Sequence, residues 1–350
     1  MKGLLYRQLR IVLTMMAVGF ILLFSFACKA KGKENNVAVS HQKSKTFPHQ
    51  DSQLFTIRYY PKWNHQSQFA GFYMAREKGF YRKYGLNVEI LALEPGISVV
   101  ELLRTGEADV TTMMLLTALN NHGKNVELVN LAQCFQHSNL MLVGKKNRGI
   151  NSMESLEGKR IGLWLSDYRE LSQHFLKTHV PNPTILQIDW TNTLFLRDAI
   201  DVANLMYYNE YHILLMSGLE EEDLFTIRFK DLDYDYAEDG IYTTREYFDN
   251  HPQECKAFAD ATMEGWRYAF NHPEETLAVV MRIMKEHHLP TNISHQRWML
   301  NALKDCVLDD NKPLGVLDRK DFADAKTFIL PQNPTLSGLA YERFFPHGSD

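Results

Sequence analysis

The sequence predicts an α/β protein in which two lobes, joined by a hinge, enclose a ligand cleft. The chain has 350 residues, 45% of them hydrophobic, so it can bury a large core and is too long for one typical domain. Short apolar runs alternate with amphipathic segments, which is typical of parallel βαβ units. The alternation occurs in two separate rounds, and each round predicts one lobe with its own sheet.

The predicted elements follow the chain in order. The first round places strands at residues 54–60, 87–93 and 109–114, and helices at residues 69–85 and 98–108. The second round places strands at residues 159–165, 184–190 and 201–208, and helices at residues 168–179 and 192–200. Apolar residues at helical spacing predict two further helices, which should pack on lobe one, at residues 255–270 and 274–288.

Two strand-like runs connect the two rounds. Residues 139–146 should carry the chain out of lobe one, and residues 239–248 should bring it back. Two crossings of this kind form a hinge. The sequence therefore assigns residues 54–145 and 241–335 to lobe one and residues 146–240 to lobe two.

The first 28 residues have the order of an export signal. Basic residues precede the apolar run IVLTMMAVGFILLFSFA, which ends at Cys28 and is followed by the polar stretch KAKGKENN. The run is slightly shorter than the roughly 20 apolar residues of a membrane-spanning helix, and an uncleaved N-terminal anchor is the alternative. Residues 29–53 are polar and lysine-rich without a sustained period, which predicts a flexible tether.

The stretch SFAC resembles the lipobox of bacterial lipoproteins, in which a small residue precedes a lipidated cysteine. Ala27 and Cys28 fit that pattern, whereas Ser25 and the bulky Phe26 depart from it. The resemblance implies lipidation of Cys28 and a lipoprotein that is anchored to the membrane in the periplasm or on the outer cell surface. Ordinary secretion, in which Cys28 is discarded, is the alternative.

Composition restricts the kinds of partner and of site. The net charge is −4 and acidic and basic residues are mixed along the chain, so no basic stripe indicates nucleic-acid binding and a small molecule is the favoured partner. Three cysteines remain after Cys28, at spacings too wide for a disulfide framework. The histidines show no metal-ligand spacing, and we expect them at the surface.

The stretch NLMYYNEYH, residues 204–212, is the first candidate for a ligand site. Open α/β sheets bind ligands beyond the carboxyl ends of their strands, and this stretch follows a predicted strand. Strand residues point alternately to opposite faces, so either Tyr207 or Tyr208 should leave the core side and could stack on a flat ligand. Asn209 and Glu210 have a structural alternative as helix cap and first-turn acid, each worth about 0.5–1 kcal/mol without any ligand.

Five blocks of sequence, in the same order, resemble the thiamine-pyrimidine-binding proteins. The blocks are KWNHQSQFAGFYMAREKGFYRKYGLNVEI, EPGISVVELLRTGEADV, SLEGKRIGLW, YYNEYH and the run at residues 237–275. Proteins of this family are periplasmic substrate-binding subunits of ABC importers, and they share a fold with alkanesulfonate- and nitrate-binding proteins and with fungal pyrimidine synthases. The resemblance covers residues 54–285 and implies the periplasmic-binding-protein type II fold, no cofactor, and delivery of a pyrimidine to an ABC permease and its ATPase.

The same resemblance implies ligand-binding roles in lobe one. Trp63 resembles the family's cleft aromatic, and covering the edge of the lobe is its alternative. Gln66 and Gln68 could bond ring nitrogens while Phe69 forms an apolar wall, and helix capping with core packing is the alternative. Asp239 is a candidate on the hinge side, with plain surface solvation as its alternative.

Lobe two supplies the remaining candidates. Trp164 ends its first strand, and Asp167 lies in a stretch that resembles the family's ligand-facing loop, where a plain helix cap is the alternative. Glu210 is the strongest candidate, because a carboxylate can accept from the exocyclic amine of an aminopyrimidine and, when the ring is protonated, from the ring nitrogen.

Other functions remain open alternatives. Fungal synthases make the pyrimidine from histidine and pyridoxal phosphate, and they carry a cysteine cluster where this chain has YAEDGIYTT and a histidine where it places Phe69. A binding protein rather than an enzyme is therefore expected. The ligand could instead be an alkanesulfonate, nitrate, a flavin precursor or another aromatic, although Glu210 would repel an anion. A lipoprotein that senses or scaffolds is a further alternative.

Overall fold

The computed structural model describes residues 54–93, 96–165 and 168–349 of the chain. The predicted export signal, the tether and Cys28 lie outside these residues, as does Asp167. Among the residues described, no helix is both long and apolar enough to cross a membrane.

Strands in the described part of the chain form two five-stranded sheets. Their bounds are β1 (Phe55–Tyr60), β2 (Leu86–Ile90), β3 (Val110–Met114), β4 (Leu128–Gln133), β5 (Leu140–Lys145), β6 (Arg160–Trp164), β7 (Thr184–Ile188), β8 (Val202–Met206), β9 (Leu224–Arg228) and β10 (Asp239–Thr244). The first sheet has the order β2-β1-β3-β10-β4 and the second has the order β7-β6-β8-β5-β9. The predicted α/β class is confirmed.

Both sheets follow the same plan. In the first sheet β1 pairs in parallel with β2 and β3, and in the second β6 pairs in parallel with β7 and β8. An antiparallel strand occupies the fourth position of each sheet: β10 between β3 and β4, and β5 between β8 and β9. The carboxyl ends of the parallel strands therefore meet at one edge in each sheet, where ligand sites of open α/β sheets lie.

The helices of the described residues surround these sheets. Their bounds are α1 (Ala70–Glu77), α2 (Phe80–Lys83), α3 (Val99–Thr105), α4 (Leu115–Asn121), α5 (Arg169–His179), α6 (Thr193–Leu196), α7 (His212–Met216), α8 (Arg245–Asn250), α9 (Pro252–Asn271), α10 (Pro273–Glu286), α11 (Ile293–Val307), α12 (Arg319–Ile329) and α13 (Tyr341–Phe344). A π-helical turn over Tyr207–Tyr211 connects β8 to α7, and a 3₁₀ turn over Ser67–Phe69 leads into α1.

Helices α1 and α9 make a close contact in the core of lobe one. A methyl group on Gly265 would lie 2.1 Å from the carbonyl oxygen of Gly71, and one on Gly71 would lie 2.4 Å from the ring of Trp266. Trp266 is fully buried. Glycine at both positions thus allows α1 and α9 to approach closely enough to bury the indole of Trp266 between them.

The chain crosses between the sheets twice, through residues 134–139 and through residues 229–238. The two segments lie side by side, since the backbone N–H of Ser138 donates to Asp235 at 2.8 Å and that of Asn139 donates to Glu238 at 2.7 Å. The first crossing precedes Leu140–Lys145, so the predicted lobe boundary at residue 145 falls too late. That strand is buried along its whole length between β8 and β9, and its pairing places it in the second sheet.

Candidate functional site

Lysine and aspartate meet at the carboxyl edge of the first sheet. Asp239 begins β10 and pairs with Met114, the last residue of β3, which places its carboxyl at that edge. Lys62 follows β1 two residues after its end, and its ammonium group forms an ion pair with Asp239. Both side chains are buried, at 7% and 3% exposed, so the pair compensates charges that water cannot reach.

Two glutamines extend this ion pair into a network. The turn over Ser67–Phe69 holds Gln66 and Gln68 on the same side, where Gln66 Nε2 donates to Gln68 Oε1 at 2.8 Å. Gln68 Nε2 in turn donates to Asp239 Oδ2 at 2.8 Å. Lobe one therefore presents a buried row of amide and carboxylate groups that can both donate and accept.

Glu210 supplies a buried carboxyl group from lobe two. It lies in the π-helical turn after β8 and is 4% exposed. Its Oε2 accepts from the backbone N–H of Met206 at 3.1 Å, and its Oε1 accepts from Asn209 Nδ2 at 2.6 Å. Burial raises the pKa of Glu210 to about 7, against these hydrogen bonds, which favour the charged form. The carboxyl group therefore changes charge near neutral pH and keeps lone pairs free for a ligand.

A third carboxyl group, that of Glu238, lies at the second crossing. It is fully buried and accepts from Ser138 Oγ at 3.0 Å and from the backbone N–H of Asn139. Burial, with the negative charge of Asp239 beside it, raises the pKa of Glu238 to about 8, while Lys62 acts in the opposite direction. With this pKa, Glu238 can hold its proton near neutral pH and donate a hydrogen bond, or lose the proton and act as a carboxylate.

The ring of Tyr208 lies among these acids. Burial raises the pKa of its hydroxyl well above the usual value, and the charges of Asp239, Glu238 and Glu210 add to this effect. Only 3% of the residue is exposed. The hydroxyl of Tyr208 is thus close enough to all three acids, from lobe two, lobe one and the crossing, for each of their charges to act on it.

Side chains of the two lobes touch across this edge. Lys62 Nζ donates to the hydroxyl of Tyr168 at 3.0 Å, and the ring of Tyr168 meets Trp164 edge-on at 5.5 Å between centroids. Trp63 of lobe one packs edge-on against Trp190 of lobe two at 5.3 Å. The lobes are therefore closed over the buried acids.

Tyr207 faces a different space. Its ring stacks on Tyr211 at 5.6 Å, and the Arg228 guanidinium lies over it at 4.1 Å. A cavity of about 380 Å³ opens there between lobe two and α11, lined by Tyr207, Arg228 and Trp298 among others. None of the three acids lines this cavity, so we place the candidate site at the acids, where the convergent polar groups are.

Several sequence predictions need correction. The strand ends at Met206, so Tyr207 and Tyr208 belong to the π-helical turn, and the expected alternation of strand faces does not apply. Asn209 is not a helix cap, because its side chain is used by Glu210. Asp239 is 2% exposed, which rules out surface solvation.

The remaining predicted residues divide into two groups. Phe69 is 1% exposed and meets Phe72 and Tyr73 edge-on, which is the core packing given as its alternative. Trp63 is half-buried and Trp164 is 8% exposed, and both lie at the interlobe contact.

Some residues of the site were not predicted from the sequence. Lys62 and Glu238 each adjoin a predicted residue in the chain, and a search for charged neighbours of Trp63 and Asp239 would have found them. His295 was expected at the surface with the other histidines, yet it is 8% exposed, and its Nε2 donates to Asn209 Oδ1 at 3.0 Å. No local signal marks it, since it lies far along the chain from its partner. In the described residues no cluster of His, Cys, Asp and Glu is arranged to hold a metal ion.

Comparisons with known proteins find two relatives that are named as pyrimidine phosphate synthases. The 4-amino-5-hydroxymethyl-2-methylpyrimidine phosphate synthase of Uromyces fabae is 22% identical over 315 residues, covering 80% of this chain and 91% of that protein. The synthase of the same name from Aspergillus parasiticus is 25% identical over 107 residues, 30% of this chain and 31% of that protein, so the match spans about a third of that relative.

Solved structures and a family model complete the comparison. The periplasmic aliphatic sulphonate binding protein SsuA from Escherichia coli has a TM-score of 0.62 at 13% identity, covering 81% of this chain and 94% of that chain. At this identity the likeness establishes the fold, which is that of the periplasmic binding proteins. The family model described as NMT1/THI5 like matches residues 66–276, which is more than half of the chain. The chain belongs to the NMT1/THI5-like family.

Proposed function

We propose that this protein captures a thiamine-precursor aminopyrimidine between its lobes outside the cytoplasm and delivers it to an ABC permease and its ATPase. Anchoring through a lipidated Cys28 is part of the proposal, and fractionation of a Cys28→Ala variant between membrane and soluble protein tests it. The periplasmic-binding-protein fold and the closed contact between the lobes support a binding role.

The observation that carries the ligand assignment is the buried carboxyl of Glu210, with its pKa raised to about 7. An aminopyrimidine presents an exocyclic N–H beside a ring nitrogen. A neutral carboxyl group can accept from the first and donate to the second, and a carboxylate can accept from both when the ring is protonated. A carboxyl group that titrates near neutral pH fits both forms of such a base.

The charges around the site oppose an anionic ligand. Three carboxyl groups, those of Glu210, Glu238 and Asp239, lie around Tyr208. The lysine described beside them, Lys62, is already paired with Asp239. A sulfonate or nitrate is negatively charged and offers only acceptors, so it is repelled by each of these carboxyl groups that is ionised and can bond only to one that is protonated. We therefore propose the base in preference to an alkanesulfonate or nitrate.

Calorimetric titration with 4-amino-5-hydroxymethyl-2-methylpyrimidine tests this function. Glu210→Gln keeps the shape but loses a charge-assisted bond of roughly 1.5–3 kcal/mol, so we expect affinity to fall about tenfold to a hundredfold. Glu157→Gln, an exposed glutamate of lobe two, is the matched control and should bind as the unaltered protein does. Equal affinity in the Glu210→Gln variant would remove the carboxyl from the site.

A second candidate, synthesis of the pyrimidine, is favoured by the names of the curated relatives. Incubation with histidine and pyridoxal phosphate, the substrates that the resemblance implies for fungal synthases, tests it by mass spectrometry of the product. We expect no pyrimidine phosphate. Lys62, a lysine of the site, is engaged by an ion pair with Asp239 and a hydrogen bond to Tyr168, so its amine is not free to attack an aldehyde.

A further inference from the structure

The first turn of α11 joins the two halves of the candidate site. His295 and Gln296 are neighbours in this turn, and both are buried, at 8% and 2% exposed. The side chain of Asn292 caps the helix by accepting from the backbone N–H of His295 at 3.0 Å, which fixes the start of the turn. The turn lies beyond residues 66–276, the part of the chain that the family model matches.

Gln296 holds the lobe-one half. Its Oε1 accepts from the backbone N–H of Ser67 at 2.7 Å, and its carbonyl oxygen accepts from Ser67 Oγ at 2.9 Å. Ser67 lies between Gln66 and Gln68, whose amides are linked to each other and to Asp239. The position of α11 therefore sets the position of the lobe-one amides.

His295 holds the lobe-two half through a chain of hydrogen bonds whose direction is determined. Asn209 Nδ2 donates to Glu210, so Asn209 Oδ1 must accept, and His295 Nε2 at 3.0 Å must donate to it. His295 Nδ1 is then an acceptor, and His212 Nδ1 donates a hydrogen bond to it at 2.9 Å. The chain runs from His212 through His295 and Asn209 to the Glu210 carboxyl group.

We propose that His295 and Gln296 form an interlobe clamp, in which His295 is a positioning residue that orients the Glu210 carboxyl group and Gln296 sets the facing amides. This inference rests on the proposed function, because it specifies how the same site is organised. His295 must be neutral for the chain to form, because its Nδ1 accepts from His212, and burial lowers the pKa of His295 to about 4. The clamp is thus intact throughout the neutral pH range.

Several other groups face Glu210 or the clamp. Tyr208 of the same turn lies among the three acids, Asp239 and Glu238 lie beyond it in lobe one and the crossing, and Asn192 donates to the backbone carbonyl of Glu210 at 2.8 Å. Of these groups, only Asn192 bonds to Glu210, and it bonds to the backbone carbonyl. The Asn209 amide donates to the Glu210 carboxyl group, and His295 acts on that carboxyl group through it.

The first experiment needs no ligand. In protein labelled with ¹³C at glutamate side chains, the Glu210 resonance is identified by its loss in Glu210→Gln, and its pKa is read from a pH titration. His295→Leu frees the Asn209 amide, so Glu210 loses a donor that favours its charged form, and its pKa should rise by roughly 0.5–1 unit. His295→Gln retains an N–H for Asn209 and should restore the original pKa.

Two variants on the same turn separate the clamp from general stability. Gln296→Leu should leave the pKa of Glu210 unchanged. Both Gln296→Leu and His295→Leu should weaken binding of 4-amino-5-hydroxymethyl-2-methylpyrimidine about three- to tenfold. Arg297→Leu removes an exposed ion pair with Glu274 and should change neither measurement. If His295→Leu does not fold, His295→Asn, which is too short to reach Asn209, replaces it.

An unchanged Glu210 pKa in the His295→Leu or His295→Asn variant would overturn the clamp. Failure of the unaltered protein to bind the pyrimidine would instead overturn the proposed function, and the titration would still decide the role of His295. If the Glu210 pKa rose as much in His295→Gln as in His295→Leu, the N–H donated to Asn209 would not matter. The effect would then come from packing, which would also contradict the proposal.

Discussion

The three acids around Tyr208 are costly to bury, and this cost explains their chemistry. Burial raises the pKa of Glu210 to about 7 and that of Glu238 to about 8, so each can hold its proton near neutral pH, whereas Asp239 is paired with Lys62. A ligand that brings N–H donors into this space relieves the cost, because the acids gain partners that water no longer provides. Binding and protonation of the site are therefore coupled.

The two adjacent tyrosines should respond differently to substitution. Tyr208 lies among the acids, so Tyr208→Leu should weaken pyrimidine binding about three- to tenfold through lost ring contact. Tyr207→Leu should leave affinity unchanged but lower the free energy of unfolding by about 1–2 kcal/mol, since its ring carries the Arg228 guanidinium and stacks on Tyr211. Calorimetry and denaturant unfolding measure the two effects. If Tyr207→Leu weakened binding and Tyr208→Leu did not, the ligand would lie beside Tyr207 instead.

Individual site residues were predictable where chemistry and position agreed. Glu210 was proposed from its position after a predicted strand and from the family resemblance, and Gln68 and Asp239 from the resemblance. The structure gives each of them a buried hydrogen-bond partner. Their ligand roles remain predictions. His295 could not be found in this way, because its relation to Asn209 depends on how α11 packs against the other lobe.

Secondary structure was most predictable where the hydrophobic period was uniform. The second sheet's β6 and β8 lie within the predicted runs, since buried parallel strands are continuous apolar stretches. The prediction failed at the end of β8, where the apolar run continues into a π-helical turn. Tyrosines fit a strand or a turn equally well by composition, and the single-turn π-helix has no sequence period of its own.

The paired crossing segments are joined by a histidine that is sensitive to pH. His137 Nδ1 lies 2.6 Å from Asp235 and Nε2 lies 2.7 Å from Asp309, so only the doubly protonated ring donates to both. These carboxylates raise the pKa of His137 above its usual value. Its side chain is 29% exposed, and solvent therefore weakens both ion pairs.

Replacement of His137 by glutamine should destabilise the protein in a pH-dependent way. A group whose pKa is raised on folding contributes stability below its unfolded pKa of about 6.5 and loses it as the pH rises through the folded pKa. The difference in free energy of unfolding should be about 1–2 kcal/mol near pH 6 and should vanish at high pH. Denaturant unfolding of both proteins across this range measures it. A difference that is constant with pH would mean that the ring acts only by packing.

The whole molecule is organised by two sheets of one plan and two crossings between them. Each crossing ends in the antiparallel fourth strand of the sheet it enters, β5 or β10, so the hinge leads directly into the centre of each lobe. Asp239 begins β10, and Glu238 immediately precedes it. A movement at the hinge must therefore move two of the buried acids relative to Glu210, which links closure of the lobes to the geometry of the site.

Ligand binding should accordingly make the molecule more compact. The structure shows closed lobes, with Lys62 bonded to Tyr168 and Trp63 packed on Trp190, and a compact body of roughly 300 residues has a radius of gyration of about 19 Å. Without ligand, only side-chain contacts bridge the lobes at this edge among the described residues, so we expect the lobes to open and small-angle scattering to give a larger radius. The radius should fall towards this value when 4-amino-5-hydroxymethyl-2-methylpyrimidine is added. Ethanesulfonate, an anion that the acids repel, is the control and should cause no change. Saturation by the pyrimidine in calorimetry with no change in radius would show that the pocket is preformed and that the crossings do not act as a hinge.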